Sequence, residues 1–314
     1  MAAEETNALV LPQVLHTYQH HALDSTVWQR YVPRDDDIVI ATSYKSGTTW
    51  TQAILAYLIL GTQAIPDIGA ASPWIDSQRN AAGDVIERLE AQQHRRFIKS
   101  HLALDGLPFY PQVKYIVVGR DARDVCMSMW NHYSNHTEAF LVEFNNAPGR
   151  VGPPLPPAPP NIHLFWRDWI TRGWFDWESE GYPYWGNLHH TRTWWPHRTR
   201  DNVLFVHFND LLADLSGEIR HIARFLDIDC SDQTIAEIAH AVTFATMQQN
   251  AAQLVPFAEQ GWKGGAKTFI FKGTNGRWKD VLSPEELELY TEAAARVLTP
   301  DCAAWLEHGR AALL

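Results

Sequence analysis

Cysteine is scarce in this 314-residue chain: Cys126, Cys230 and Cys302 are scattered and show no CxxC spacing. An odd, dispersed set excludes a disulfide framework and a cysteine metal knuckle, so a reducing, cytoplasmic setting is the simplest expectation. Basic charge is also in deficit, with 26 Lys and Arg against 36 Asp and Glu and a formal charge of −10. That balance disfavours a nucleic-acid partner but leaves room for a local basic pocket. No apolar run approaches the ~20 residues that a membrane-spanning helix needs. Met1 to Pro12 carries Glu4, Glu5 and Asn7 with neither a basic start nor an apolar stretch, and does not read as a secretory leader. No internal repeat is present. Charged residues are only 20% and apolar residues 46%, a composition that builds a core rather than a disordered chain.

Against these absences stands a repeated alternation of short β-branched runs and helical patterns. Ile38 to Ala41 reads as a buried strand, Thr42 to Thr49 as a polar loop, and Trp50 to Leu60 as a helix. Further strands are expected at Arg96 to Ser100, Lys114 to Gly119 and Val203 to His207, with helices through Trp130 and around Ile219 to Leu226. This order predicts one α/β domain over residues 1–314, with a mainly parallel central sheet flanked by helices. Residues about 145–195 form a Pro- and Trp-rich insertion: Gly149 to Pro160 holds six prolines and reads as an extended polyproline-like surface loop, rigid beside a pocket. Ser283-Pro284-Glu285-Glu286 is a capping box with proline at the first helical position, and opens a C-terminal helix.

The loop after the first strand carries the chemistry. Lys45-Ser46-Gly47-Thr48-Thr49-Trp50 combines a charge, three hydroxyls and a glycine at a helix N-terminus, where unpaired N–H groups favour an anion. It is P-loop-like without being a Walker A loop, which requires G-x-x-x-x-G-K-[ST]. The plain alternative is a Ser/Thr-rich helix cap.

Tyr44 to Trp50 resembles the 5′-phosphosulfate-binding loop of the cytosolic-type sulfotransferases that use 3′-phosphoadenosine 5′-phosphosulfate (PAPS), in a bacterial-looking member. Three further segments match in order, over about Asp37 to Asp280. Arg120 and, eight residues later, Ser128 match the family's 3′-phosphate element. Lys99-Ser100-His101-Leu102 resembles the segment holding the general base. Lys272 to Lys279 resembles the late Gly-x-x-Gly-x-Trp element, except that Phe271 stands where the family usually has arginine; one phosphate donor is then either missing or replaced by Lys267, Lys272 or Arg277. The resemblance implies His101 as base, with Lys45 and Lys99 stabilising developing charge. It implies donor contacts from Lys45, Ser46, Gly47, Thr48, Thr49, Trp50, Arg120, Ser128, Phe208, Thr243, Phe244, Met247, Lys272 and Gly273, Trp50 and Phe244 enclosing the adenine. PAPS would be the donor co-substrate. Core packing would explain the aromatic members equally well.

The acceptor is expected to be a small aromatic or hydrophobic alcohol, in a pocket built from Trp74, Tyr133, Phe140 and aromatics of the 164–195 region. Most tryptophans of the 164–195 region should simply fill core. His20-His21 and His189-His190 lack carboxylate or cysteine company and read as solvated or structural, so no metal is expected. Oligomeric state stays open between monomer and homodimer, since Lys279 to Glu288 only loosely resembles the family's dimerisation segment. Two other classes remain at this point: a P-loop kinase or nucleotide-binding protein, which lacks its Gly-Lys-Ser/Thr here, and a non-enzymatic binding protein on the same fold, for which Phe271 is the sole support.

Overall fold

The computed structural model describes residues 11–78 and 84–313. The stretch Met1 to Pro12, considered above as a leader, lies almost wholly outside them. Four strands form the sheet: β1 (Ile38–Thr42), β2 (Phe97–Ser100), β3 (Lys114–Gly119) and β4 (Val203–His207). Their order is β2-β1-β3-β4 and every pairing is parallel. Each strand is buried almost throughout, because helices cover both faces; that is why the runs are β-branched rather than alternating. Lys114 to Gly119 and Val203 to His207 match the sequence expectation; the first strand gains Thr42 and the second starts one residue later. At the strand starts, Arg96 pairs with Asp37, and both side chains are fully buried.

β1 leads into α1 (Thr48–Leu60) and β3 into α2 (Ala122–Ser134). α1 starts two residues before the expected Trp50, since Gly47 itself takes the N-cap position in the left-handed region, φ 118°. β4 runs directly into a short helix, Phe208–Ala213, and a second helix covers Leu215–Phe225. The capping box closes as expected: the Ser283 hydroxyl accepts from the Glu286 amide, and Glu286 reaches back to the Ser283 amide at the head of Pro284–Val297. The proline stretch has no helix or strand of its own. It is less superficial than expected, because Leu155 is buried and Asn145 clamps its backbone N–H and C=O with its side-chain amide.

The two histidine pairs are not solvated. All four imidazoles are buried, and His189 has the carboxylate company that its sequence neighbours did not show, Asp105 at 2.8 Å. Burial pushes His20 and His190 down to about 3. Their folded values therefore lie below the unfolded one. Between about pH 6.5 and 3 the unfolded chain takes up protons that the folded chain refuses, so stability is lost as pH falls through that window. Each imidazole then costs roughly 1 kcal/mol per pH unit. Thermal melts should show a lower Tm at pH 5.5 than at pH 7; an unchanged Tm would contradict the buried, neutral assignment.

Candidate active site

Because all strands are parallel, the segments that follow them gather on one edge. β1 has β2 on one side and β3 on the other, so the chain reverses its direction of winding here and leaves a crevice outside the strand ends. Into it come the loop after β1, His101 after β2, Arg120 after β3 and Phe208 after β4.

The β1 loop is shaped by two positive-φ residues, Lys45 (61°) and Gly47 (118°). A side chain at Gly47 would also press on Phe208, 3.2 Å from the position of a Cβ. No side chain caps α1, so its first-turn amides stay open to a ligand. Thr48, Thr49 and Trp50 line the cavity in front of them. Ser46 departs from expectation: its hydroxyl is buried and paired with Ser43 Oγ at 2.7 Å, away from the cavity.

His101 is held from behind. Its Nδ1 lies 2.8 Å from the Thr42 carbonyl oxygen and 3.1 Å from Thr42 Oγ1, which in turn meets Thr48 Oγ1 at 2.6 Å. A carbonyl can only accept, so Nδ1 carries the proton in the neutral ring and Nε2 is left as the basic nitrogen. Burial, reinforced by Lys99, holds His101 well below the usual histidine range, so the ring is neutral at physiological pH. The Trp74 ring stands edge-on to it at 4.9 Å and carries the Lys99 ammonium over its face at 4.5 Å. This trio is set by backbone pairing: Lys99 N–H donates to Pro73 O, and Ile75 N–H donates to Lys99 O. Asp76 locks the segment by accepting from Trp28 Nε1 at 2.9 Å and Ser100 Oγ at 2.5 Å, and also from Trp74 Nε1.

Lys45 and Arg120 form the cationic end. Lys45 Nζ is 3.4 Å from His132 Nδ1 and sits over the Phe269 ring at 5.0 Å. Burial, with Arg120 and Lys99 nearby, pushes it down to about 7. Burial likewise pushes Arg120 down to about 10. The Arg120 guanidinium lies over the Phe208 ring at 4.1 Å and spans two loops, donating to Lys45 O at 3.1 Å, Thr274 O at 3.0 Å and Asn275 Oδ1 at 2.9 Å. Ser128, two turns along α2, faces the same cavity. Such a cluster of cations and open amides suits a multiply charged anion.

A cavity of about 840 Å³ joins this end to an aromatic one. Trp50 and Phe208 meet edge to face at 5.3 Å, and Thr243, Phe244 and Met247 complete that wall. Gly273, at φ 62°, lets the Phe244 ring lie directly on its backbone, 2.6 Å from where a Cβ would stand. Lys272 and Phe271 follow on the same rim. At the other end Trp74 and Phe140 line the cavity as expected, whereas Tyr133 does not: its ring is buried and its hydroxyl donates to Pro156 O. Tyr184 and Trp185, from the 164–195 region, line that end too, and so do His132, His136 and Leu155, which the sequence does not single out. One signal was available, since Ser128 and His132 are four residues apart on a helix and share a face.

The family model described as "Sulfotransferase domain" matches residues 35–299. "Glycolipid sulfotransferase" from Mycobacterium bovis (strain BCG) is 31% identical, over 93% of this chain and 94% of that protein. "Sulfotransferase 1A1" from Rattus norvegicus is 27% identical over 87% of this chain and 88% of that one. Among solved structures, retinol dehydratase with androsterone and inactive cofactor PAP superposes with a TM-score of 0.66 at 22% identity, covering 88% of this chain and 84% of that one. Mouse sulfotransferase SULT7A1 complexed with PAP gives 0.63 at 23%, covering 87% and 88%. These structures show the shared fold. With a family model spanning most of the chain and a relative above 30% identity over nearly all of it, the chain belongs to the sulfotransferase family.

Proposed function

We propose that this enzyme transfers the sulfuryl group of PAPS to a hydroxyl of a small acceptor with an aromatic or hydrophobic body, by in-line displacement with His101 as general base. The observation that carries this reading is His101, whose basic nitrogen is Nε2, at the junction between the cationic and aromatic ends of one cavity. In the step, the acceptor O–H gives its proton to His101 Nε2 while its oxygen bonds to sulfur. The bond from sulfur to the bridging 5′-phosphate oxygen breaks, and 3′-phosphoadenosine 5′-phosphate (PAP) leaves with the bond's electron pair. Lys45 and the first-turn amides of α1 meet that developing charge, and Lys99 meets the sulfuryl oxygens. Trp50, Phe208 and Phe244 offer faces to the adenine. No proton-transfer step requires a group beyond these side chains, and among the described residues no cluster of three or more His, Cys, Asp or Glu is placed to hold a metal ion.

The acceptor end is apolar with few polar points, which suits an alcohol or phenol carried on a hydrophobic body. The mycobacterial relative's name supports a lipid-borne sugar hydroxyl as one such acceptor. A cytoplasmic location fits three free cysteines, and no described helix is long and apolar enough to cross a membrane. The test is a mass-spectrometric screen with PAPS across phenols, sterol-like alcohols, glycolipids and unsubstituted sugars. A sulfated product that depends on PAPS is expected from at least one apolar acceptor; turnover confined to highly polar, unsubstituted sugars would overturn the acceptor class.

A further inference from the structure

The donor end holds more positive charge than the residues discussed so far. Arg277 also lines the cavity, near enough to Lys45 and Arg120 for each to feel its charge. The two arginines differ in how they are occupied. Arg120 spends donors on Lys45 O, Thr274 O and Asn275 Oδ1. Arg277 Nε is buried and meets no acceptor among the described residues. A buried donor left without a partner is costly, and its retention calls for a reason.

The surroundings of Arg277 supply one. Its guanidinium lies 5.4 Å from the centre of the Phe271 ring, and Lys272 Nζ lies 5.2 Å from the same ring. A phenyl face attracts a guanidinium and keeps it from swinging freely into solvent. The loop beneath is pinned as well, since Gly276 N–H donates to the Asp124 carboxylate at 2.7 Å and Arg120 holds Thr274 and Asn275. Neither lysine offered by the sequence is placed as well: the Lys272 side chain is exposed, and Lys267 is exposed and does not line the cavity.

We propose that Arg277, carried on the Phe271 ring, is the side chain that receives the donor's 3′-phosphate, so that the phenylalanine at 271 serves as a platform rather than marking a lost contact. The inference rests on the PAPS reading above. A phosphate at this place meets the guanidinium of Arg277 where it lines the cavity, and the planar fork presents parallel donors to one group.

The test is calorimetric titration of the full chain and its variants with PAP and with 5′-AMP, which lacks only the 3′-phosphate. The unaltered enzyme should prefer PAP. Arg277→Ala should lose PAP affinity by roughly 10- to 100-fold while 5′-AMP affinity changes less than about twofold, which also certifies the fold. Phe271→Leu should lose less, and should add little to Arg277→Ala, since both act through one guanidinium. Equal losses for PAP and 5′-AMP, or unchanged PAP affinity in Arg277→Ala, would overturn the assignment of Arg277. Additive losses would overturn the platform. An unaltered enzyme with no preference for PAP over 5′-AMP would instead sink the donor reading beneath it.

Discussion

Replacing His101 by alanine should lower turnover by roughly 100- to 10,000-fold while PAP affinity stays within about threefold. The split follows from where the ring sits. His101 Nδ1 is bound to Thr42 behind the site, and the ring packs against Trp74 and Trp185 where the aromatic end meets the cationic one, so it reaches the acceptor without being a phosphate donor itself. Loss of its hydrogen bond to Thr42 should cost only about 1 kcal/mol of stability, so the variant should fold. The pH dependence adds a readout that a structural role would not move. The ring's pKa is depressed, so the acid limb of kcat/KM, which reports the free enzyme, should fall below the ordinary histidine value of about 6.5 and vanish in the variant. Equal loss of turnover and PAP affinity would make His101 a positioning residue, acting through Thr42 and Thr48 on the β1 loop.

Lys45→Ala should weaken both. Turnover should fall by roughly 100- to 1,000-fold, as when one preorganised donor to developing charge is removed, and PAP affinity by at least about 10-fold. Burial has brought Lys45 to about 7 in the empty site, so a substantial fraction is neutral at physiological pH. An incoming phosphate favours the charged ammonium and raises that value. The sign is then fixed: binding takes up a proton above about pH 7, and PAP affinity declines as pH rises through that value. Titrations at about pH 8 in two buffers of different ionisation enthalpy should show this uptake in the parent enzyme, and much less of it in Lys45→Ala. Unchanged affinity and unchanged proton uptake would remove Lys45 from the site.

The parts of the site visible in the sequence were those set by local rules. A β-branched run, a Ser/Thr/Gly loop and an apolar helix are contiguous, so β1, the loop and α1 were readable to within two residues, and the resemblance fixed the register of His101, Arg120 and Ser128. What was not legible depends on packing between distant segments. Ser46 looks like its hydroxyl-bearing neighbours until Ser43 Oγ turns it inward. Tyr133 and Phe140 are similar candidates in sequence, yet Pro156 O draws one away from the cavity while the other lines it. The sequence around the histidine pairs shows no carboxylate, because Asp105 is 84 residues from His189 in the chain. Arg277 was one of three named cations, and the Phe271 ring that distinguishes it from Lys267 is a feature of the folded loop. The acceptor end is the extreme case: Trp74, Leu155 and Trp185 come from separate stretches, and only the fold makes them neighbours of one cavity.

Calorimetric titration with PAP, with ATP–Mg²⁺ as the competitor, tests most directly whether the cavity is built for a 3′-phosphorylated adenine nucleotide. Selective binding of PAP, with 1:1 stoichiometry per chain and little heat from ATP–Mg²⁺, is the predicted result. Preference for ATP–Mg²⁺, or binding of neither, would contradict it.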